Sequence, residues 1–172
     1  MSSESLPSRA NARTADPLGP RRLYRFMATA EVATWSLLII GMLLKYVAQL
    51  GGLPVVIAGS IHGVVFITYA LMAGLVGVNQ RWNPLLIAGA IATAIVPFAT
   101  VPFDRYLERR KLLDGDWHRA ATDDPRDSTW VRRTLRWLLN RPRTLSALYV
   151  LGVVVILAVF LLIGPPGGWS SD

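Results

Sequence analysis

The sequence predicts an all-α fold, a polytopic membrane bundle of four transmembrane helices plus one amphipathic interfacial helix. Three observations carry this expectation. Of the 172 residues, 52% are hydrophobic and 17% charged, whereas a soluble domain has about 25% charged residues. The apolar residues are gathered into runs of about twenty, the length that crosses a hydrocarbon core. The polar residues are gathered between those runs, most of them in one forty-residue stretch.

Residues 1–20 hold Ser, Arg, Ala and Pro with two leucines. That is too little apolar surface to offset the entropy of ordering, and the segment reads as a disordered tail. It also lacks the arrangement of a cleaved leader, because more than twenty residues precede a core longer than a signal sequence uses. The first span is expected over Phe26–Leu50, entered through Arg21, Arg22 and Arg25 and closed by Gly51 and Gly52. A second follows over Leu53–Val78, with Pro54 in its first turn. A third, over Pro84–Phe103, opens on proline and is interrupted by Pro97 and Pro102. Each of those prolines removes a backbone hydrogen bond, so this helix is expected to kink and bare carbonyls toward protein or water. A fourth, over Leu145–Ile163, precedes Gly-Pro-Pro-Gly-Gly and Trp169, placed for the interfacial aromatic belt.

The intervening segment, Asp104 to Arg143, carries eleven basic and seven acidic residues and is too polar for the membrane. Within it, 129–141 (TWVRRTLRWLLNR) sets Trp130, Val131, Leu135, Trp137, Leu138 and Leu139 on one helical half and Arg132, Arg133, Arg136 and Asn140 on the other. This suits a helix in the headgroup plane whose arginines face anionic lipid. A helix packing its apolar side on the bundle would use the same face. Four spans put the N-terminal tail, the second loop and the C-terminal tail on one side with 6 basic residues, against 11 on the other. The positive-inside rule then sets the long loop inside and both termini outside, in a multi-pass protein of the plasma membrane.

Ionisable groups inside spans are expensive and need a partner or a role. Glu31, Lys45 and His62 stand out, and with Asp104 and Arg81 they form the candidate intramembrane polar site. Reflecting the chain about Gly51-Gly52 places His62 opposite Gly41, and reflecting it about Gln80 places His62 level with Pro97-Phe98. By the same construction Glu31 comes within reach of Arg81 or Arg25, and Lys45 within reach of Asp104. Glu31 and His62 then lie near opposite ends of a path lined by the kinked third helix. The imidazole is expected to bond Thr93, Thr34 or Tyr69. Gly59, Gly63, Ala70 and Gly74 form a small-residue stripe, read as the helix-packing seam of the bundle or of a dimer.

The Glu31 helix ending in Lys45-Tyr46, the Gly59-Ser60-Ile61-His62-Gly63 segment followed by Phe66 and Tyr69, and Pro97-Phe98 leading to Phe103-Asp104-Arg105 together resemble the YdzA-like small bacterial integral membrane proteins, a domain of unknown function. The resemblance covers Leu23 to Leu107. It implies a three-helix membrane unit over 21–107 with no established activity, to which this chain adds the polar loop 108–143 and the fourth helix with its tail, 144–172.

No H-E-x-x-H, G-x-S-x-G, P-loop or paired-carboxylate motif is present, so the sequence predicts no enzyme. Without cysteine, and because His62 and His118 cannot make a metal site without carboxylate help, neither a metal site nor a cofactor is expected. The first functional reading is a non-enzymatic bundle that binds anionic lipid, other membrane proteins or a second copy of itself, with no role for nucleic acid. The alternative is a small proton-coupled transporter using Glu31 and His62.

Overall fold

The computed structural model describes residues 19–122 and 124–163, and among them all regular structure is helical. The tail expected over 1–20 falls outside these residues except for Gly19 and Pro20, and so does Trp169.

Helix α1 (Pro20–Tyr46) starts on a proline, whose missing N–H is no loss in a first turn. It stops four residues short of the expected Leu50. The amides of Val47 and Ala48 fold back on the Leu43 carbonyl at 2.9 and 3.0 Å. Gln49 and Gly51 take φ of 54° and 82° and reverse the chain. Helix α2 (Leu53–Asn79) returns against α1. The two backbones approach closely at Gly41, where a Cβ would sit 3.0 Å from the Pro54 carbonyl oxygen. The early end of α1 corrects the expected register: Gly41 faces Pro54 and Val55, while His62 lies two turns further along, against Thr34 and Trp35.

The third apolar run is not one helix. Asn83 caps α3 (Pro84–Thr93) by accepting from the Leu86 amide at 2.7 Å. The helix ends where Pro97 deprives the Thr93 carbonyl of its donor. After a turn through 94–99, with Phe98 at φ 62°, α4 (Thr100–Arg109) takes Pro102 in its first turn. The two helices form a hairpin whose ends meet at one place. Trp82, just before α3, stacks edge-on against Tyr24 at 5.8 Å and donates to the carbonyl of Leu112, just after α4, at 2.8 Å. Arg21 pairs with Glu108, Arg25 with Asp104, and the Trp35 indole donates to the Ala94 carbonyl. Ten residues of helix reach about 15 Å, half of a hydrocarbon core, so the tip at 94–99 sits midway along α1.

The remaining chain gathers at the same end. Asn79 at the foot of α2 donates to Asp116 O at 3.2 Å and accepts from the His118 amide at 2.9 Å. Past a single 3-10 turn (Pro125–Ser128), α5 (Trp130–Leu139) buries Leu135 and Leu139 against the bundle. Helix α6 (Pro142–Ile163) leans on α2 through the Tyr149 hydroxyl, which donates to Thr68 O at 2.6 Å, and otherwise exposes its apolar side chains. Among the described residues three helices, α1, α2 and α6, are long and apolar enough to cross a membrane.

Two expectations change at this level. Arg132 and Arg136 do not point outward as a lipid-facing pair: both turn in to Asp127, at 3.6 and 3.9 Å. The cause is that α5 starts directly after that buried carboxylate, whereas Arg133 stays exposed. Nor is the small-residue stripe the close seam within the bundle. A Cβ on Gly63 or Gly74 would meet nothing within 4 Å and one on Gly59 only Leu38 at 3.7 Å, while Ala70 and Gly74 border an open crevice. The tight contacts fall at Gly41 and at Gly77, where a Cβ would lie 2.6 Å from Ile87 Cγ1.

Candidate functional site

The hairpin tip, α1 and α2 converge on one buried carboxylate. Matched steps of four and ten residues separate the Arg21–Glu108, Arg25–Asp104 and Trp35–Ala94 contacts on both sides, which sets Glu31 level with Phe98 in the unwound turn. On α2, Tyr69 donates to Ala90 O at 3.0 Å, and the same spacing carries His62 to the same level. Glu31, His62 and the break in the hairpin therefore share one depth, near the middle of α1.

Glu31 is fully buried, and neither of its carboxylate oxygens has a hydrogen-bond partner. His62 Nε2 is 4.0 Å from Oε1, in electrostatic contact but beyond hydrogen-bond length. The other ring nitrogen, Nδ1, is 3.1 Å from the Thr34 hydroxyl, which itself donates to the Glu31 carbonyl at 3.1 Å. A hydroxyl has one proton to give. With that proton on the carbonyl, Thr34 accepts from Nδ1–H, and Nε2 is left as a lone pair aimed toward Glu31; this tautomer follows from the network. Trp35 closes the site from the side, its ring 4.5 Å from the imidazole. One and two turns along α1, Ala28 and Tyr24 extend the same face. The Tyr24 and Tyr69 hydroxyls meet at 2.9 Å, and Tyr69 also lies 3.3 Å from Thr93 Oγ1.

The candidate polar residues divide into two groups. Glu31 and His62 come together, side by side instead of at opposite ends of a path. Asp104 lies on the same α1 groove nearer its end, paired with Arg25 at 3.7 Å. Lys45 and Arg81 are elsewhere. Lys45 lies 5.0 Å over the ring of Tyr46 at the far end of α1 and never meets Asp104, because the hairpin returns Asp104 to the near end. Arg81 takes φ 59° and reaches Asp124 and Asp127, both at 3.0 Å, outside the interior. Glu31 consequently has no arginine partner. Sequence reasoning missed Thr100, Trp35, Tyr24 and Asp127. Tyr24 and Glu31, seven apart, carried a face signal, as did Thr100 and Asp104, four apart.

A family model, the domain of unknown function DUF3817, matches residues 21–109, about half of the chain. The chain belongs to the DUF3817 family. The matched stretch coincides with α1, α2 and the hairpin, so the Glu31 site lies inside the DUF3817 unit, and α5 and α6 follow it. Among relatives, the chain is 36% identical over 95 residues to "Uncharacterized membrane protein YdzA" of Bacillus subtilis, covering 55% of this chain and 96% of that protein. It is 34% identical over 115 residues to "Putative membrane protein SCO5905" of Streptomyces coelicolor, covering 64% of this chain and 14% of that much longer protein. No solved structure matches. The DUF3817 chain described here is thus a membrane protein of a family without an assigned activity.

Proposed function

We propose that this DUF3817 protein takes up and releases protons at Glu31 inside the membrane, with His62 as the proton-sharing partner, as a small proton-coupled transporter does. The observation that carries this reading is the carboxylate itself: both oxygens are buried without a donor, level with unwound backbone. A charge left so costs far more than a neutral acid. A protonated Glu31 can lean its hydroxyl toward the Nε2 lone pair of His62. Broken helices that present carbonyls at mid-membrane are a recurrent arrangement of ion and proton sites. In this reading α1, α2 and α6 cross the plasma membrane, and the hairpin enters halfway and returns.

The test uses protein in liposomes that enclose a pH-sensitive dye, with a potassium diffusion potential as the driving force. Wild type is expected to pass protons, and Glu31→Gln to stop the flux with no loss of melting temperature. Flux in Glu31→Gln equal to wild type, or none in wild type, contradicts the proposal.

A second reading, binding of lipid or a partner helix, is favoured by two apolar crevices of about 450 and 510 Å³ where α6 stands off from α2 and α5. It concerns a different part of the molecule and does not compete for Glu31.

A further inference from the structure

We infer that Thr100 and Asp104 of α4 form the route by which protons reach Glu31 from the end of the bundle where α1 begins. The inference rests on the proton-handling reading of Glu31 and names its access path. Among the described residues, six buried side-chain nitrogen or oxygen atoms lack a hydrogen-bond partner, and four of them lie along the α1–α4 groove: both oxygens of Glu31, Thr100 Oγ1 and Asp104 Oδ1. Leaving such an atom unpaired inside a packed interior is costly, so four of them in one line mark a path for water and protons better than a packing seam.

The register orders them. Asp104 stands level with Arg25 and Thr100 one turn deeper, level with Thr29, with Glu31 less than a turn beyond. A turn is about 5.4 Å along the axis, twice a hydrogen-bond length, so one bridging water is long enough for each axial step. Exposure falls along the line, with side chains 25% accessible at Glu108, 16% at Asp104 and 0% at Glu31. The charged and titratable neighbours fit the task. Arg25 and Arg21 of α1 and Glu108 of α4 face Asp104. The Tyr69 hydroxyl of α2 lies in the field of both Asp104 and Glu31, and Tyr24 lies in that of Asp104. His62 faces Glu31 from α2, and α3 contributes Thr93, bonded to Tyr69 and Ala90.

In the inward step, protonated Asp104 gives its proton through water to the Thr100 hydroxyl, which passes its own proton on to a Glu31 oxygen. Asp104 is left a carboxylate beside Arg25, and Glu31 becomes neutral. No other bond changes.

The experiment follows the protonated carboxyl band of Glu31 by time-resolved infrared spectroscopy after a pH jump, on the full chain in nanodiscs, with Glu31→Gln identifying the band. Thr100→Val keeps shape and charge and removes the hydroxyl; Asp104→Asn removes the surface-side acid. The expected result is a rate at least tenfold slower in both, with the titration midpoint of Thr100→Val unchanged. Should Asp104→Asn fail to fold for want of its Arg25 pair, Thr100→Val alone decides. Wild-type rates in the folded variants overturn the route while leaving Glu31 as the site, whereas a wild-type protein with no band lost in Glu31→Gln overturns the function as well.

Discussion

Glu31 and Asp127 are both buried carboxylates, and their surroundings make them opposites. Glu31 accepts nothing. Neutralising it therefore strands no donor, and Glu31→Gln should melt at or above the wild-type temperature in detergent. His62→Ala removes the Thr34 partner and the ring packed on Trp35, and should lower stability by about 1–3 kcal/mol. An arginine partner for Glu31, as the sequence predicts, would make Glu31→Gln destabilising instead, but the fold sends Arg81 to Asp124 and Asp127 and Arg25 to Asp104. Asp127, by contrast, is a hub. Burial pushes its carboxyl up, but the Thr122 amide and hydroxyl, at 3.0 and 2.8 Å, and Arg81 outweigh that and hold it down at about 2 against an ordinary 3.8. A depressed acid contributes its stability above the unfolded value and loses it as pH falls through the folded one. Amide protection factors over 116–122 and 124–128, with the intrinsic pH dependence of exchange divided out, should thus be flat above pH 3.8 and fall from there toward pH 2. Asp127→Asn should give the lowered protection already at neutral pH.

At the scale of elements, close approach separates glycines that matter from those that only look alike in sequence. Gly77→Ala drives a methyl into Ile87 and Trp82, and Gly41→Ala drives one onto the Pro54 carbonyl, a rigid backbone atom. Overpacking of this kind costs about 1–3 kcal/mol. Gly63→Ala and Gly74→Ala meet open space and should leave melting within about 0.5 kcal/mol of wild type. A thermal-shift series on the four variants checks the order. Helix identities and the α3 break at Pro97 were legible, because hydropathy and the missing proline N–H are local properties. The direction of the chain after the break was not. A bend and a reversal use the same prolines, and only the pairing of Arg21 with Glu108 and of Arg25 with Asp104 distinguishes them. The inward turn of Arg132 and Arg136 was hidden for a like reason: a helical wheel shows a basic face but not the carboxylate that precedes it.

On the scale of the whole molecule the reversal reorganises the charge. Among the described residues every arginine lies at the end where α1 begins or in the segments attached there, and Lys45 lies at the other end. Counting the third run as a crossing had split the basic residues between two faces and left the orientation weakly biased. In the proposed reading, with the hairpin returning to its starting face, the positive-inside rule acts in one direction and predicts the N-terminal flank, the long loop and α5 together on the cytoplasmic side. The hairpin also gives the interior its chemistry, since it brings the unwound turn to Glu31 and His62 and lays Thr100 and Asp104 along the way out. The decisive measurement is the sidedness of the two hairpin ends, which the absence of native cysteine makes clean. Single cysteines at Asn83, Arg110 and Ala48 are tested in intact cells and in inverted vesicles with an impermeant maleimide. Asn83 and Arg110 should label from the same, cytoplasmic face and Ala48 from the opposite one, and labelling of Asn83 and Arg110 from opposite faces would contradict the re-entrant hairpin and the site built on it.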